Sequence, residues 1–373
     1  MWSVLKVAIW LALTGSFHYF VWSRLVRDTG LRRRRLITRV MLVMSLLVPI
    51  TTWSRLWWPG FGHVMGWVTL PWLAFIGLTM VALLVLEIPR RVAERTNGLT
   101  RREFLARVTG GTAVVVAGGS VAAGVISARG EHEIVDVEIK LARLPRALDG
   151  FSIVQLSDLH TGLTIDRAFV QRVVDHANAL SPDLIALTGD LVDGPVEDLR
   201  DDIAPLASLR AKHGVYAVTG NHEYYAGADA WIAEISRLGA RYLRNERVAI
   251  VPGLELAGVD DYNSDKYPGH GEDLARATAG RDPNAALVLL AHQPRQVKRA
   301  SKHGVDLQLS GHTHGGQIWP WHYIVKVQQG GLLAGHYDHD GTQLYVTRGC
   351  GYWGPPVRLL APLEITRIIL RAA

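Results

Sequence analysis

Thirty-one consecutive residues between Arg55 and Glu87 carry no Asp, Glu, Lys or Arg. Few folds accept such a run. A bilayer span needs roughly 20 apolar residues, and a buried helix of a soluble bundle is seldom this long. Three shorter runs share the composition: 17 residues between Lys6 and Arg24, 15 between Arg39 and Arg55, and 21 between Arg107 and Arg129. The 15-residue run is short for a span unless its flanking arginines snorkel, although Trp53, Trp57 and Trp58 near its end suit an interfacial belt. Eight of the twelve tryptophans precede residue 131, which again places the first third in a bilayer. Residues 1–130 are therefore expected to form a transmembrane region of about four helices, and residues 131–373 a separate domain. A chain of 373 residues is in any case long for one compact core.

Charge follows the same division. The net +6 conceals 16 Lys/Arg against 4 Asp/Glu in residues 1–130, and 24 against 30 thereafter. The basic pI of about 9.5 thus belongs to the apolar third, and nucleic acid is not an expected partner. One cysteine, Cys350, excludes an intrachain disulfide framework and a thiolate zinc site. Seven arginines lie from Arg24 to Arg39 and six from Arg90 to Arg107. The positive-inside rule makes both loops cytoplasmic. With four crossings, the expectation is a multi-pass protein of the cytoplasmic (inner) membrane whose second domain faces the extracytoplasmic side. Thr100-Arg101-Arg102-Glu103-Phe104-Leu105, followed by a mildly apolar run to Ser127, resembles a twin-arginine export signal or anchor.

Beyond Arg129 the texture changes. Short apolar runs at 134–141, 151–156, 184–187, 215–218, 254–259, 287–290, 307–309, 344–346 and 363–370 predict strands. Helical periodicity covers 166–180, 196–211, 228–238 and 294–303, with Asp166 as an N-cap. Alternating strands and helices, then strands in closer succession, predict a layered α/β domain. Five segments follow apolar runs: Ser157-Asp158-Leu159-His160, Gly189-Asp190-Leu191-Val192-Asp193, Gly220-Asn221-His222-Glu223, Ala291-His292 and Gly311-His312-Thr313-His314. Loops at the carboxyl ends of strands are where α/β sheets build sites. Asp, Asn and His supply oxygen and imidazole donors without thiolate, which suits Mn, Fe or Zn. In an extended segment residues i and i+2 point the same way, so Asp158 with His160, and His312 with His314, are each expected to face one site. Glycines at 189, 220 and 311 are expected to give the turns and the room.

The ordered set D-x-H, GD-x-x-D, GNH-E, H, GH-x-H resembles the calcineurin-like metallophosphoesterase superfamily, at full motif strength from about residue 150 to residue 315. That resemblance implies a four-layer αββα sandwich and two divalent metal ions. It assigns Asp158, His160, Asp190 and His314 to one ion, and Asp190, Asn221, His292 and His312 to the other, with Asp190 bridging. It implies in-line attack by a metal-bridging hydroxide, with His222 donating a proton to the leaving oxygen and Asp193 orienting His222. Glu223 is expected to play a supporting structural part.

One departure matters. Phosphoprotein phosphatases of the superfamily follow the last Asp with an arginine, whereas here Gly194 and Pro195 follow Asp193. This favours a phosphodiester or pyrophosphate over a phosphoprotein. The run Gly315-Gly316-Gln317-Ile318-Trp319-Pro320 and the later Arg348-Gly349-Cys350-Gly351 resemble the membrane-anchored bacterial branch, with Gln317 and Arg348 as candidate substrate contacts. A tethered domain suggests an envelope or lipid-linked substrate. The alternative class is a metal-binding membrane sensor or scaffold that retains the fold without turnover. His336 and His339 beside Asp338 and Asp340 are a weaker candidate metal cluster, and Cys350 is expected to be a small packed residue. No Walker loop or serine elbow occurs.

Overall fold

A computed structural model describes the backbone of residues 4–54, 58–94 and 99–373, and the side chains of these except 4–7, 59 and 89–102. The chain forms two compact units: Met1–Arg129 with Gly354–Leu359, and Gly130–Trp353 with Leu360–Ala373.

The first unit contains α1 (Val4–Trp22), α2 (Arg34–Ser54), α3 (Pro59–Glu94) and α4 (Leu99–Arg129). Among the described residues, three helical stretches are long and apolar enough to cross a membrane: Arg34–Ser54, Gly60–Ile88 and Glu103–Arg129. The run that looked short between Arg39 and Arg55 gains length because its helix begins at Arg34 and reaches 21 residues. The first expected span begins among side chains outside the description, as do Arg101 and Arg102 of the export-like motif and all of Arg55; the backbone around Arg101 belongs to α4.

Several polar groups of this unit find partners across the helices, although Arg24 Nε and Thr51 Oγ1 are buried without one. The His18 Nδ1 lies 2.8 Å from the Thr14 carbonyl, and Trp72 Nε1–H donates to His18 Nε2 at 3.0 Å. Arg24 pairs with Asp28 at 3.0 Å and with Glu87 at 3.4 Å. In the sequence Glu87 marks only the end of an uncharged run. Its partner lies 63 positions away, a distance that only helix packing closes, and pairing offsets the cost of removing a carboxylate from water.

The second unit is two six-stranded sheets. In chain order the strands are β1 (Glu133–Leu141), β2 (Ser152–Leu156), β3 (Leu184–Leu187), β4 (Val215–Ala217), β5 (Ala240–Tyr242) and β6 (Glu246–Val251), then β7 (Leu254–Gly258), β8 (Ala286–Leu290), β9 (Leu307–Ser310), β10 (Gly335–His339), β11 (Thr342–Val346) and β12 (Glu364–Ala372). One sheet runs β1-β12-β2-β3-β4-β5 and the other β10-β11-β9-β8-β7-β6. β2 to β5 are mutually parallel, as are β7, β8, β9 and β11. Parallel strands need crossovers, which α5 (Arg167–Ala179), α6 (Val196–Ile203), α7 (Asn221–Ala226) and α8 (Ala228–Arg237) supply in the first sheet. Asp166 caps α5 by accepting the Phe169 N–H at 3.0 Å. In the second sheet α9 (Leu274–Thr278) and α10 (Val297–Ala300) fill that role, and α11 (His322–Gln328) precedes β10.

β8 shows why the sheets stack. All five of its residues are buried. Ala286, Val288 and Leu290 face the core between the sheets, meeting Ile153, Leu184 and Ile368; Leu287 and Leu289 join Leu274, Ala277 and Ala300 of α9 and α10 on the outer side. A strand apolar on both faces can only sit between two layers. The domain is a mixed α/β sandwich of two sheets with helices outside. β5, β6 and β10 are not among the expected strands: β5 is only three residues long, and β6 and β10 contain no fully buried residue.

Replacing Leu290 with alanine should cost about 3 kcal/mol, since a fully buried side chain between two sheets leaves a cavity that packed strands cannot close. Chemical unfolding of the detergent-solubilised chain measures this, and a loss under about 1 kcal/mol would contradict the packing described.

Candidate metal centre

Five strands end at one place. Asp158 and His160 follow β2, Asp190 and Asp193 follow β3, Asn221 and His222 follow β4, His292 follows β8, and His312 and His314 follow β9. Hydrogen bonds knit these loops across the sheets. The Asp158 N–H donates to Gly189 O at 3.0 Å, His160 N–H to Asp190 O at 3.1 Å, and Gly311 N–H to His292 O at 2.9 Å. The His312 N–H meets both Asp158 carboxylate oxygens at 3.0 Å, which ties the two sheets' loops together.

The local backbone is not the extended one expected for D-x-H and H-x-H. Asp158, His160, Asp190, His312 and His314 all have φ between +52° and +71°. Left-handed backbone at Asp or His costs roughly 1 kcal/mol or more per residue. Among the described residues, five of the ten non-glycine residues in this region belong to the expected ligand set, so strain concentrates where side chains must converge. Asp158 and His160 still turn into one donor group, whereas His312 and His314 turn into two different ones, through left-handed backbone instead of strand geometry. Two glycines make room: a Cβ on Gly220 would lie 2.2 Å from Asp190 Oδ1, and one on Gly311 would lie 2.2 Å from Asp158 Oδ2.

Among the described residues the donor atoms gather in three groups: Asp158, His160 and His314; Asp190, His292 and His312; and, beside the first, His160, Asp193 and His222. In the first, His160 Nε2 and His314 Nε2 are 3.0 Å apart, and Asp158 Oδ1 is 3.5 Å from His314 Nε2. In the second, His292 Nε2 lies 3.0 Å from Asp190 Oδ2 and 3.2 Å from His312 Nδ1. Asp190 Oδ2 is also 3.8 Å from His160 Nε2, which puts it between the groups. Asn221 Oδ1 is buried with no hydrogen-bond partner. An orphaned buried acceptor, beside crowded imidazole nitrogens and carboxylates, fits a cation centre. The remaining imidazole nitrogens are held as a ligand needs: His292 Nδ1 faces the Thr188 carbonyl at 2.8 Å and His160 Nδ1 faces Asp193 Oδ1 at 2.7 Å, so each ring can donate there and present Nε2 inward.

His222 stands beside this set. Its Nδ1 also meets Asp193 Oδ1 at 2.7 Å, and its N–H donates to Asp190 Oδ1 at 2.8 Å. Asp193 therefore orients two imidazoles, His160 as well as His222, where the sequence had assigned it one. Burial works against charge on His222, but the Asp190 and Asp193 carboxylates outweigh it and raise the imidazole to about 9. Burial likewise opposes charge on His292, which Asp190 pushes up to about 10. His312 goes the other way, to about 3, because it is buried and faces the cationic His292. Desolvation and the repulsion of Asp190 hold the Asp158 carboxyl above its ordinary value, despite the attraction of His292.

Glu223 has a more definite part than the motif alone suggested. Its carboxylate accepts the backbone N–H groups of Asp190 at 3.0 Å, Leu191 at 2.6 Å and Gly220 at 2.7 Å. It clamps two site-bearing loops to each other. Arg348 pairs through Nε with Glu364 at 2.5 Å and through one amino group with Glu133 at 2.8 Å. Gln317 brackets Trp353, donating to its carbonyl at 2.8 Å and accepting its N–H at 2.9 Å. The Trp353 ring lies 5.9 Å from the His222 ring, and Tyr225 lies 5.1 Å from it. Neither aromatic carried a signal in the sequence, because neither sits in a motif. His336 meets Gln343 and His339 meets Asp340 on the β10 edge, with no three-donor group there among the described residues. Cys350 is buried, its Sγ directed at the Ser157 carbonyl.

Comparison with known proteins agrees with this geometry. The family model for calcineurin-like phosphoesterases matches residues 151–316. A transmembrane protein with metallophosphoesterase domain from Danio rerio is 36% identical over 261 residues, covering 67% of this chain and 60% of that protein. A metallophosphoesterase of Helicobacter pylori strain J99 is 40% identical over 240 residues, covering 64% of each chain. One from Bacillus subtilis is 31% identical over 295 residues, covering 74% of this chain and 98% of that one. The match thus spans less than two thirds of the Danio and Helicobacter proteins and nearly all of the Bacillus protein, and the relatives are animal as well as bacterial. The chain belongs to the calcineurin-like metallophosphoesterases, in a form that carries apolar helices long enough to span a membrane.

Proposed function

We propose that the chain hydrolyses a phosphodiester or pyrophosphate at a binuclear metal centre, acting on an envelope or lipid-linked substrate outside the cytoplasmic membrane. The observation that carries this reading is the pair of donor groups meeting at Asp190, with the Asp193–His222 pair beside them. Asp158, His160, Asp190 and His314 would hold one divalent cation, and Asp190, Asn221, His292 and His312 the other. Oxygen and imidazole donors suit Mn, Fe or Zn. Two such cations, when bound, neutralise phosphoryl oxygens and make a water acidic enough to ionise near neutral pH.

The chain's own residues account for the rest. Asp193 engages His222 Nδ1, leaving Nε2 as the atom that gives a proton to the leaving oxygen. Asp193 also fixes the ring of His160, so its loss would disturb acid and ligand together. Glu223 holds the Asp190 loop rigid while charge builds on the phosphoryl group. Gly194 and Pro195 after Asp193, and an Arg348 already paired with two glutamates, leave the site poor in the guanidinium that grips a phosphomonoester. A diester or pyrophosphate fits that better. The extracytoplasmic side is supported by the two arginine-rich loops, and a twin-arginine export route by Thr100–Leu105.

Two outcomes follow. Asp190→Asn should abolish both metal retention and diesterase turnover. His222→Ala should keep its metal and lose turnover by about 10²-fold to 10⁴-fold. Metal analysis beside a phosphodiesterase assay of the full chain checks both, and metal bound without turnover in the unsubstituted protein would instead indicate a sensor. The second outcome concerns protons. His292 and His222, raised to about 10 and about 9, are charged at neutral pH in the metal-free cluster, and His292 must lose its proton to present Nε2. Metal binding should therefore release protons, and its apparent affinity should rise from about pH 6 to about pH 9. Titration calorimetry in buffers of different ionisation enthalpy reads this; binding with no proton release would contradict the electrostatics.

A further inference from the structure

The catalytic unit exposes eight large apolar side chains, and six of them lie between Trp319 and Leu360: Trp319, Tyr323, Ile324, Val327, Trp353 and Leu360. Tyr323, Ile324 and Val327 lie on one face of α11, and Val327 is 80% exposed. No residue of that helix is buried, so its apolar face does not serve the core of its own domain. The surrounding sequence is also unusual in charge. From Leu307 to Tyr337 there is no Asp or Glu, and Lys326 is the sole Lys or Arg.

This patch is built onto the metal centre. A Cβ on Gly316, two residues past His314, would lie 2.2 Å from the His322 Cβ, so the start of α11 packs directly on the loop that carries His314. The Thr313 hydroxyl donates to the Leu333 carbonyl at 2.5 Å, which pins the return of the segment to the same loop. Trp353, fixed by Gln317, stands at the edge of the His222 ring.

We propose that the α11 segment, with Trp353 and Leu360, docks into the headgroup region of the bilayer that anchors the chain, so that the metal centre opens at the level of lipid phosphates. The chemistry of the patch selects this occupant. Trp and Tyr with aliphatic neighbours are what the interface of a bilayer accepts, a single lysine suits anionic headgroups, and carboxylates that such headgroups would repel are missing. Chain length makes docking possible. Only Gly130, Glu131 and His132 separate the last residue of α4 from the first of β1, a tether of roughly 14 Å at full stretch. The substrate class then becomes the phosphodiester or pyrophosphate headgroup of an amphiphile. That last step rests on the phosphoesterase reading; the docking does not.

The test uses the full chain in vesicles of phosphatidylcholine with a minority of phosphatidylglycerol. Val327→Cys carries a nitroxide, Cys350 being buried, and Lys212→Cys, exposed before β4 and thus at the opposite strand ends from the site, serves as the control. Collision with oxygen relative to a water-soluble nickel chelate should be several-fold higher at 327 than at 212. Equal ratios would place α11 in water, and a label at 327 shielded from both reagents would mean a protein contact, such as a second copy; either result overturns the proposal. Activity adds a second arm. Combining Tyr323→Ser, Ile324→Ser and Val327→Ser should lower hydrolysis of an acyl-chain-bearing aryl phosphodiester held in the vesicle by at least about tenfold, since each lost apolar contact weakens docking. The same aryl phosphodiester without the chain should be cleaved at the unsubstituted rate. Equal losses on both substrates would contradict the docking role. If the unsubstituted chain cleaved neither, the phosphoesterase reading would fail while the nitroxide measurement still decided the docking.

Discussion

Imidazole nitrogens and carboxylate oxygens stand within 3 to 4 Å of one another at buried positions here, and two of the contacts, His160 to His314 and His292 to His312, set ring nitrogen against ring nitrogen. Much of the sandwich can be understood as the apparatus that enforces that crowding. Strands from both sheets stop at one level, five of the expected ligand positions take left-handed backbone, and Gly220 and Gly311 remove the Cβ atoms that would otherwise block Asp190 and Asp158. Glu223 then locks the Asp190 loop to the Gly220 loop through three backbone N–H groups. Two divalent cations would displace the protons that the carboxylates hold on His292 and would give the facing ring nitrogens a shared partner.

Asp193 shows how few groups hold the chemistry together. One carboxylate oxygen meets both His160 and His222 at 2.7 Å. The ring expected to bind a cation and the ring expected to give a proton are thereby set by a single atom. Neutral partners could fix the rings' orientation, but the negative charge also supports the cationic form of His222, which a proton donor requires.

Legibility in the sequence followed the length of the signal. The five motifs lay in order after apolar runs, and β3 and the Asp166 cap were placed where they occur, because period and capping chemistry are local. The left-handed backbone at Asp158 and His314 was not legible, since it is imposed by loops from two sheets meeting. Nor was the Arg24–Glu87 pair or the capture of Arg348 by Glu364 and Glu133, where the partners are far apart in the chain. The aromatic wall of Trp353 and Tyr225 beside His222 belongs to the same class: tertiary packing brings the rings there, and no spacing rule announces it.

The phosphoester chemistry proposed for this site depends on the cluster being a true two-ion centre. Anomalous diffraction from crystals of the full chain loaded with Mn²⁺ tests that most directly. The account predicts two peaks, one among Asp158, His160 and His314 and the other among Asp190, His292 and His312. A single peak, or none at full loading, would contradict it.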